Sequence, residues 1–342
     1  MNIRPGSAVL KHLVDIEAWR SAFYLIDVGA SGGIGGTWDA FGDRLRAVGF
    51  EPLIAEAERL NAEETRPGVR YEPAFVGAAN FDTLFPPDLR NDPIRSRSDD
   101  SFQRVTASRA MAIMAIDYAS EIYNRGVPAV LADRRVDLDA FVPAEEYPAV
   151  DFVKIDTDGH DIEVLLGAPR LLESGVLGLM VESQFHGASH PYANTFANID
   201  IYLRDRGFTL FDLDVNRYSR SALPARFVHD IPAQTESGQA IWGDALYLRD
   251  LGDPAYDAKH PAFAMTGDRV TKLAALFALF GLADCLAELF ITRRALVPEP
   301  LRLAVLDRLP AEMGYGGTTY QDHVAAFERD PRLFYPQARS AK

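Results

Sequence analysis

The stretch FYLIDVGASGGIGGTW, residues 23–38, constrains the fold more than any other part of the chain. Phe23 to Val28 is an apolar run of strand length, interrupted only by Asp27, and it leads directly into Gly29, Gly32, Gly33 and Gly35. Glycine enters left-handed backbone without steric cost, so the strand can turn sharply and present backbone N–H groups at the start of the next element. A helix is expected over 37–47, followed by a second strand, VGFEP, that ends at Glu51. This β–loop–α–β order opens a nucleotide-binding half-sheet.

The alternation continues with a helix through 53–62 and a strand near 71–76, which favours a doubly wound, mostly parallel sheet covered on both faces. From 80 to 135 it lapses into Asp, Arg, Ser and Pro, read as a polar insertion or lid. It resumes with AVDFVKID (149–156), a helix at 160–173, VLGLMVE (176–182), a helix at 194–206, FTLFDLD (208–214) and GDALYLRD (243–250). No clear helix separates the last two strands, so an antiparallel pair at the sheet edge is expected. Ahead of the sheet, Val9, Leu10, Leu13, Val14 and Ile16 in residues 1–22 suggest a short covering helix. Beyond LGDPAYDAKHP the sequence turns helical, with Val270, Leu273, Leu276, Phe277, Phe280, Leu286, Leu289 and Phe290 at helical spacing. The organisation read is 1–22 as a covering helix, 23–251 as the nucleotide-binding domain and 252–342 as a helical C-terminal region. That region reads first as a packed cover, with a substrate-recognition module or a homodimer through the C-terminal helices left open.

The charge balance excludes some partners. With 35 Lys plus Arg against 49 Asp plus Glu, the net charge is −14, which repels polyanions, so nucleic acid is not expected. One cysteine, Cys285, can form neither an internal disulfide nor a paired-cysteine metal knuckle, and it fits a reducing, cytoplasmic setting. The longest apolar stretch, 274–283, stops at Asp284, short of the roughly 20 residues a membrane span needs, and no transmembrane segment is expected.

Two nucleotide chemistries compete for the glycine turn. GASGGIG looks like the loop of NAD(P)-dependent short-chain dehydrogenases, but no tyrosine here is followed by a lysine four residues later, the pair those enzymes use for proton transfer. Asp27 points the other way. In a dinucleotide site the diphosphate occupies the space beside the turn and a carboxylate would repel it, whereas S-adenosyl-L-methionine presents a cationic ammonium and sulfonium. Glu51, at the end of the second strand, is placed to accept hydrogen bonds from ribose hydroxyls. The expected cofactor contacts are Asp27, Gly29, Ala30, Ser31, Gly32, Gly33 and Glu51, with Asp156 beside them.

The segment VDFVKIDTDGHDIEVLLGAPRLLESGVLGLMVE, residues 150–182, resembles the FkbM-type family of S-adenosylmethionine-dependent methyltransferases. The family is marked by a Lys-Ile-Asp-x-Glu-Gly-x-Glu segment, a helix with Leu-x-Gly-Ala and a strand ending in Val-Glu. Lys154, Ile155, Asp156, Gly159, Leu165, Gly167, Ala168, Val181 and Glu182 match; Asp158 and Asp161 stand where the family usually has glutamate. The resemblance covers about 24–250. It implies a class I methyltransferase fold with a Rossmann-like, seven-stranded sheet, and acceptors that are commonly hydroxyls on sugars of glycans or natural products.

Asp156 closes an apolar strand at the ligand edge of the sheet and could hold the cofactor's ammonium, position an acceptor hydroxyl or take its proton. Lys154, two residues earlier, shares its face, and an ion pair between them is expected. His160 and His186 are candidate bases beside it. Asp156, Asp158, His160, Glu182 and His186 could also ligate a divalent metal, a reading not favoured because the spacing is not diagnostic. Tyr192, Phe196 and Tyr218 are candidates for a sugar-stacking wall, with core packing the competing explanation. The sequence therefore leads to methyl transfer onto a hydroxyl acceptor, small or part of a glycan. A catalytically inactive cofactor-binding scaffold in a glycan-assembly complex is the alternative.

Overall fold

A computed structural model of the chain describes residues 1–84, 109, 130–228 and 233–334. The insertion read at 80–135 lies largely outside the described residues. In chain order the strands are β1 (Phe23–Val28), β2 (Leu45–Phe50), β3 (Val69–Glu72), β4 (Phe75–Val76), β5 (Arg135–Val136), β6 (Val150–Ile155), β7 (Gly178–Gln184), β8 (Thr209–Tyr218) and β9 (Gln239–Leu248). Seven of them form one sheet in the order β3-β2-β1-β6-β7-β9-β8, and β4 pairs with β5 separately. The pairings β3–β2, β2–β1, β1–β6 and β6–β7 are parallel, while β9 runs antiparallel to both β7 and β8. This is the expected class I methyltransferase sheet with its antiparallel edge. Strand order reverses between β1 and β6, so the carboxyl ends of these two strands border a crevice.

Several local expectations give way to backbone chemistry. Residues 37–47 do not form an α-helix: a 3-10 segment spans Gly36–Arg44, kinked at Gly42 (φ 53°), and β2 already begins at Leu45. Aromatic packing holds this segment in place of helix propagation, with Phe41 stacked on Phe23 at 3.9 Å between ring centroids and Trp38 tilted against Phe152 at 5.0 Å. The strand near 71–76 splits into β3 and β4 around Pro73, which has no N–H to donate to a ladder. The helix at 160–173 is two helices, α3 (Asp161–Leu166) and α4 (Pro169–Ser174), separated by Gly167 and restarted by a proline at the first helical position. β8 runs four residues past the FTLFDLD stretch. Ahead of these lie α1 (Ala8–Asp15), which buries Val9, Leu10 and Leu13, and α2 (Ile54–Glu63); Ile16 falls beyond α1 and is 46% exposed.

Each face of the sheet has its own core. On one, Ile26, Val28, Val48, Val153, Ile155, Val181 and Tyr247 pack against α3, α4 and α5 (Phe196–Asp205). On the other, Phe23, Leu25, Phe152, Leu246 and Leu248 meet α1 and the C-terminal helices α6 (Gly267–Leu279) and α7 (Ala283–Thr292). Further C-terminal helices include α8 (Glu299–Leu306), α9 (Leu309–Glu312) and α10 (Tyr320–Arg329). Residues 269–279 of α6 are all buried, so this is a central helix surrounded by protein, with a wider buried surface than the stripe read in the sequence.

Burial on all sides forces the polar residues of α6 to find partners. Lys272 Nζ donates to Asp151 Oδ2 at 2.7 Å and to the Ala22 carbonyl at 2.7 Å, with Lys272 3% and Asp151 2% exposed. Asp151 sits where the β1–β6 register slips, between the pairs Tyr24–Val150 and Leu25–Phe152, and its carboxylate accepts the Tyr24 N–H at 2.8 Å. A register slip in the sheet is thus closed by a cation from a helix 121 residues away. Lys272→Met should destabilise the fold by about 3–5 kcal/mol, because it strands a buried carboxylate. The double variant Lys272→Met/Asp151→Asn should recover part of that loss in denaturant melts.

Candidate active site at the carboxyl edge of the sheet

The glycine turn is set by a steric limit. Gly29, Gly32 and Gly33 take φ of 86°, 78° and 95°, and a Cβ on Gly29 would lie 1.7 Å from the Asp156 carbonyl oxygen. The turn leaving β1 therefore presses against the end of β6, and only glycine fits there. Gly32 borders open space, Ser31 is exposed at the tip, and Ala30 is buried. The turn's amides are largely engaged within the protein. Gly29 and Ala30 donate to the Phe50 carbonyl at 3.1 and 2.9 Å, Gly32 to Glu56 Oε1 at 3.1 Å, Gly33 to the Ala30 carbonyl at 2.9 Å and Ile34 to Tyr71 Oη at 3.0 Å. A diphosphate needs such N–H groups turned toward it, and these five are already engaged.

Its flanks are acidic. Asp27 is 2% exposed, and burial pushes its carboxyl up to about 6 against the pull of Lys154. Glu51, 6% exposed, accepts the Leu53 N–H at 2.8 Å through Oε1, and burial raises its carboxyl too. Carboxyls on both sides of an open turn fit a ligand with a cationic end and ribose hydroxyls, the donor set S-adenosylmethionine offers. A cavity of about 570 Å³ lies on the far side of the turn, lined by Asp39, Glu63, Glu64, Arg66 and Tyr71 among others; Asp27, Glu51 and Asp156 do not line it.

Strand register assembles the rest. Lys154 lies opposite Asp27, Glu182 opposite Asp244, and Asp244 opposite Asp214. Lys154 Nζ reaches Asp27 Oδ1 at 3.4 Å and Asp156 Oδ2 at 3.2 Å, so the expected ion pair is a bridge between two carboxylates. The Asp156 side chain is 44% exposed at the tip of β6. Burial, then the charges of Asp161, Asp156, Asp158 and Asp244, pushes Glu182 up to about 9. Burial with Asp156 and Asp214 nearby pushes Asp244 to about 6.

The histidines are held elsewhere. His160 precedes α3 with its side chain 68% exposed, and its Nδ1 pairs with Glu163 Oε1 at 2.8 Å, which raises its pKa. His186 Nε2 lies 2.9 Å from the Ala240 carbonyl and so ties the end of β7 to the start of β9. Neither histidine shares a hydrogen bond with Asp156 here. Tyr218 is buried at 4% exposure and accepts the Trp242 Nε1–H, while Phe196 packs on Phe185 and against the core of one sheet face. Among the described residues, no group of three or more His, Cys, Asp or Glu side chains is arranged to hold a metal ion.

Sequence reasoning missed Asn194. Asp161, fully buried, accepts the Thr157 N–H and Oγ1–H at 3.0 and 2.9 Å and the Asn194 Nδ2–H at 2.9 Å, while Asn194 Oδ1 takes the Ile162 N–H at 2.8 Å. This network shapes the turn that follows Asp156, where Asp158 and Gly159 take φ of 52° and 104°. Asn194 lies 33 residues beyond Asp161, and nothing in its local sequence marks it.

Two outcomes follow. A carboxyl raised on folding lends stability that is complete below its unfolded value of about 4.3 and is lost as pH rises through its folded value. Thermal melts of Glu182→Gln should therefore depend less on pH between 5 and 9 than those of the parent, with the gain largest at pH 9. Gly29→Ala should lose S-adenosylhomocysteine binding and lower the melting temperature, whereas Gly32→Ala should keep the fold, with only the left-handed strain of about 1–2 kcal/mol.

A comparison with curated proteins returns no match. Among solved structures, the chain is similar to a TehB-like SAM-dependent methyltransferase from Corynebacterium glutamicum, at 11% identity over 70% of this chain and 87% of that one, TM-score 0.28. It is also similar to precorrin-6y C5,15-methyltransferase from Geobacter metallireducens, at 10% identity over 70% and 86%, TM-score 0.29. A third is the N-terminal domain of EvdMO1 in the presence of SAH and D-fucose, at 11% identity over 71% and 84%, TM-score 0.29. Likeness this slight carries no argument. The assignment rests on the methyltransferase FkbM domain, whose family model matches residues 27–210, more than half of the chain, and takes in the glycine turn, Lys154, Asp156 and Glu182. With the sheet order and the acidic flanks of the turn, that match places the chain in the FkbM family of S-adenosylmethionine-dependent methyltransferases.

Proposed function

We propose that the chain transfers the methyl group of S-adenosylmethionine to a hydroxyl oxygen of a neutral carbohydrate, free or within a glycan. The observation that carries this reading is the composition of the carboxyl edge. Asp27, Asp156, Glu182, Asp244 and Asp214 arrive from five strands, and among the described residues they are met by two cations, Lys154 and the Met1 α-ammonium 2.7 Å from Asp214 Oδ2, so acids outnumber cations in that row. Carboxyl groups accept and donate hydrogen bonds to a polyol, while their summed charge repels phosphorylated or carboxylated acceptors.

On this reading Asp27 and Glu51 face the ammonium and ribose of the cofactor, and the cofactor supplies an electrophilic methyl group on a sulfonium. Asp156, half exposed at the strand tip, orients the acceptor hydroxyl and takes its proton. Glu182, protonated at neutral pH, can donate a hydrogen bond to a neighbouring acceptor oxygen. Alignment of oxygen and methyl carbon contributes most, since effective molarity is worth about 7–11 kcal/mol. His160 and His186, bound to Glu163 and Ala240, are the weaker candidates for the base. The sole cysteine, half-buried Cys285, agrees with a reducing, cytoplasmic setting, and among the described residues no helix is long and apolar enough to cross a membrane.

The reading is tested with methyl-labelled S-adenosylmethionine against neutral sugars, amino sugars and sugar phosphates. Label recovered as an ether on a neutral sugar is expected. Recovery on an amino group would overturn the hydroxyl assignment, and no transfer to any acceptor, with cofactor binding intact, would favour the inactive scaffold. Asp156→Asn should lower kcat by about 10²- to 10⁴-fold while leaving the Kd for S-adenosylhomocysteine within about threefold. An equal loss of binding would make Asp156 a cofactor ligand.

A further inference from the structure

Lys154 joins two carboxylates of unlike exposure. The Asp27 side chain is 3% exposed and that of Asp156 is 44% exposed, with Nζ 3.4 and 3.2 Å from them. Asp27 lies opposite Lys154 on β6 and opposite Gly49 on β2; Lys154 lies opposite Met180 on β7. Asp156 is therefore the only other charged group in direct contact with the pair among the described residues, and the acids beyond it are Asp158, Glu182 and Asp244.

We propose that Lys154 is a positioning residue for the cofactor, holding the buried Asp27 ionised so that the cofactor's ammonium meets a carboxylate and not a carboxylic acid. A carboxyl removed from water without a counter-ion takes up a proton, and a neutral acid offers a cation little attraction. Two carboxylates sharing one ammonium keep a net negative charge, so Lys154 preserves the ionised form without cancelling the attraction. The hold on Asp27 is long and shared, which leaves that carboxylate able to exchange part of its contact for an incoming ammonium while Lys154 stays on Asp156.

This inference rests on the cofactor lying at the glycine turn beside Asp27, and it is independent of the acceptor. It is tested by calorimetric titration of the full-length chain with S-adenosylhomocysteine between pH 6 and 8.5, in buffers of different ionisation enthalpy. The parent should show a Kd that changes by less than about threefold from pH 7 to 8.5, with almost no proton release at pH 7.5. In Lys154→Met, Asp27 must lose a proton to bind, so the Kd should tighten by up to about tenfold per pH unit, with release approaching one proton. Lys154→Arg should restore the flat profile, and Asp27→Asn in the Lys154→Met background should abolish the slope. Affinity lowered by the same factor at every pH, or unchanged, would show a merely structural lysine and overturn the proposal. Failure of the parent chain to bind S-adenosylhomocysteine would overturn the cofactor placement and the proposal together.

Discussion

An open parallel sheet is stable only when both of its faces are dry, and in this chain one face is closed by residues that arrive more than two hundred positions after the first strand. Phe23 and Leu25 of β1, Phe152 of β6 and Leu246 of β9 share one core with Val270, Leu273, Phe277 and Phe280 of α6. The 3-10 segment after the glycine turn is too short to cover that face, so α1 and the C-terminal helices supply what it lacks. The cover is pinned where the sheet is irregular, since Lys272 enters beside Asp151 at the register slip between β1 and β6. Removing water from that face makes Asp151 and Lys272 depend on each other.

The same dryness reaches the carboxyl edge and shapes its electrostatics. Register stacks Asp27 beside Lys154 and Glu182 beside Asp244 and Asp214, so charges scattered over 218 residues of sequence become neighbours. Burial raises Asp27 and Asp244 to about 6 and Glu182 to about 9, which leaves one edge with ionised and protonated carboxyls at neutral pH. Pairs of acids pushed apart by their environments are a usual sign of assigned roles in a site. The close passage of Gly29 against the Asp156 carbonyl brings the glycine turn and the acidic strand ends together.

Much of this was legible in the sequence because the signals are local. The apolar strands, the glycine turn, Asp27, Glu51 and the Lys-Ile-Asp segment each declare themselves within ten residues, and the parallel alternation with its antiparallel edge followed from their order. The helix expected over 37–47 failed because aromatic packing of Phe41 and Trp38 outweighs helical periodicity in a segment bracketed by Gly36 and Gly42. The break between α3 and α4 was legible too, in Gly167 and Pro169, but it was masked by continuous apolar spacing. Asn194 was not legible at all, since its pairing with Asp161 is made entirely through space.

By itself the sequence determined the sheet, the glycine turn and the acidity of its flanks, since these depend on side-chain period, glycine's freedom and charge at positions close along the chain. Tertiary structure alone decided what each charge faces. It put Lys154 between Asp27 and Asp156, sent His160 and His186 to Glu163 and Ala240, and buried α6 on all sides around Lys272. The reason is that ionisation depends on desolvation and on neighbours within a few ångströms, and both are set by which strands and helices come together.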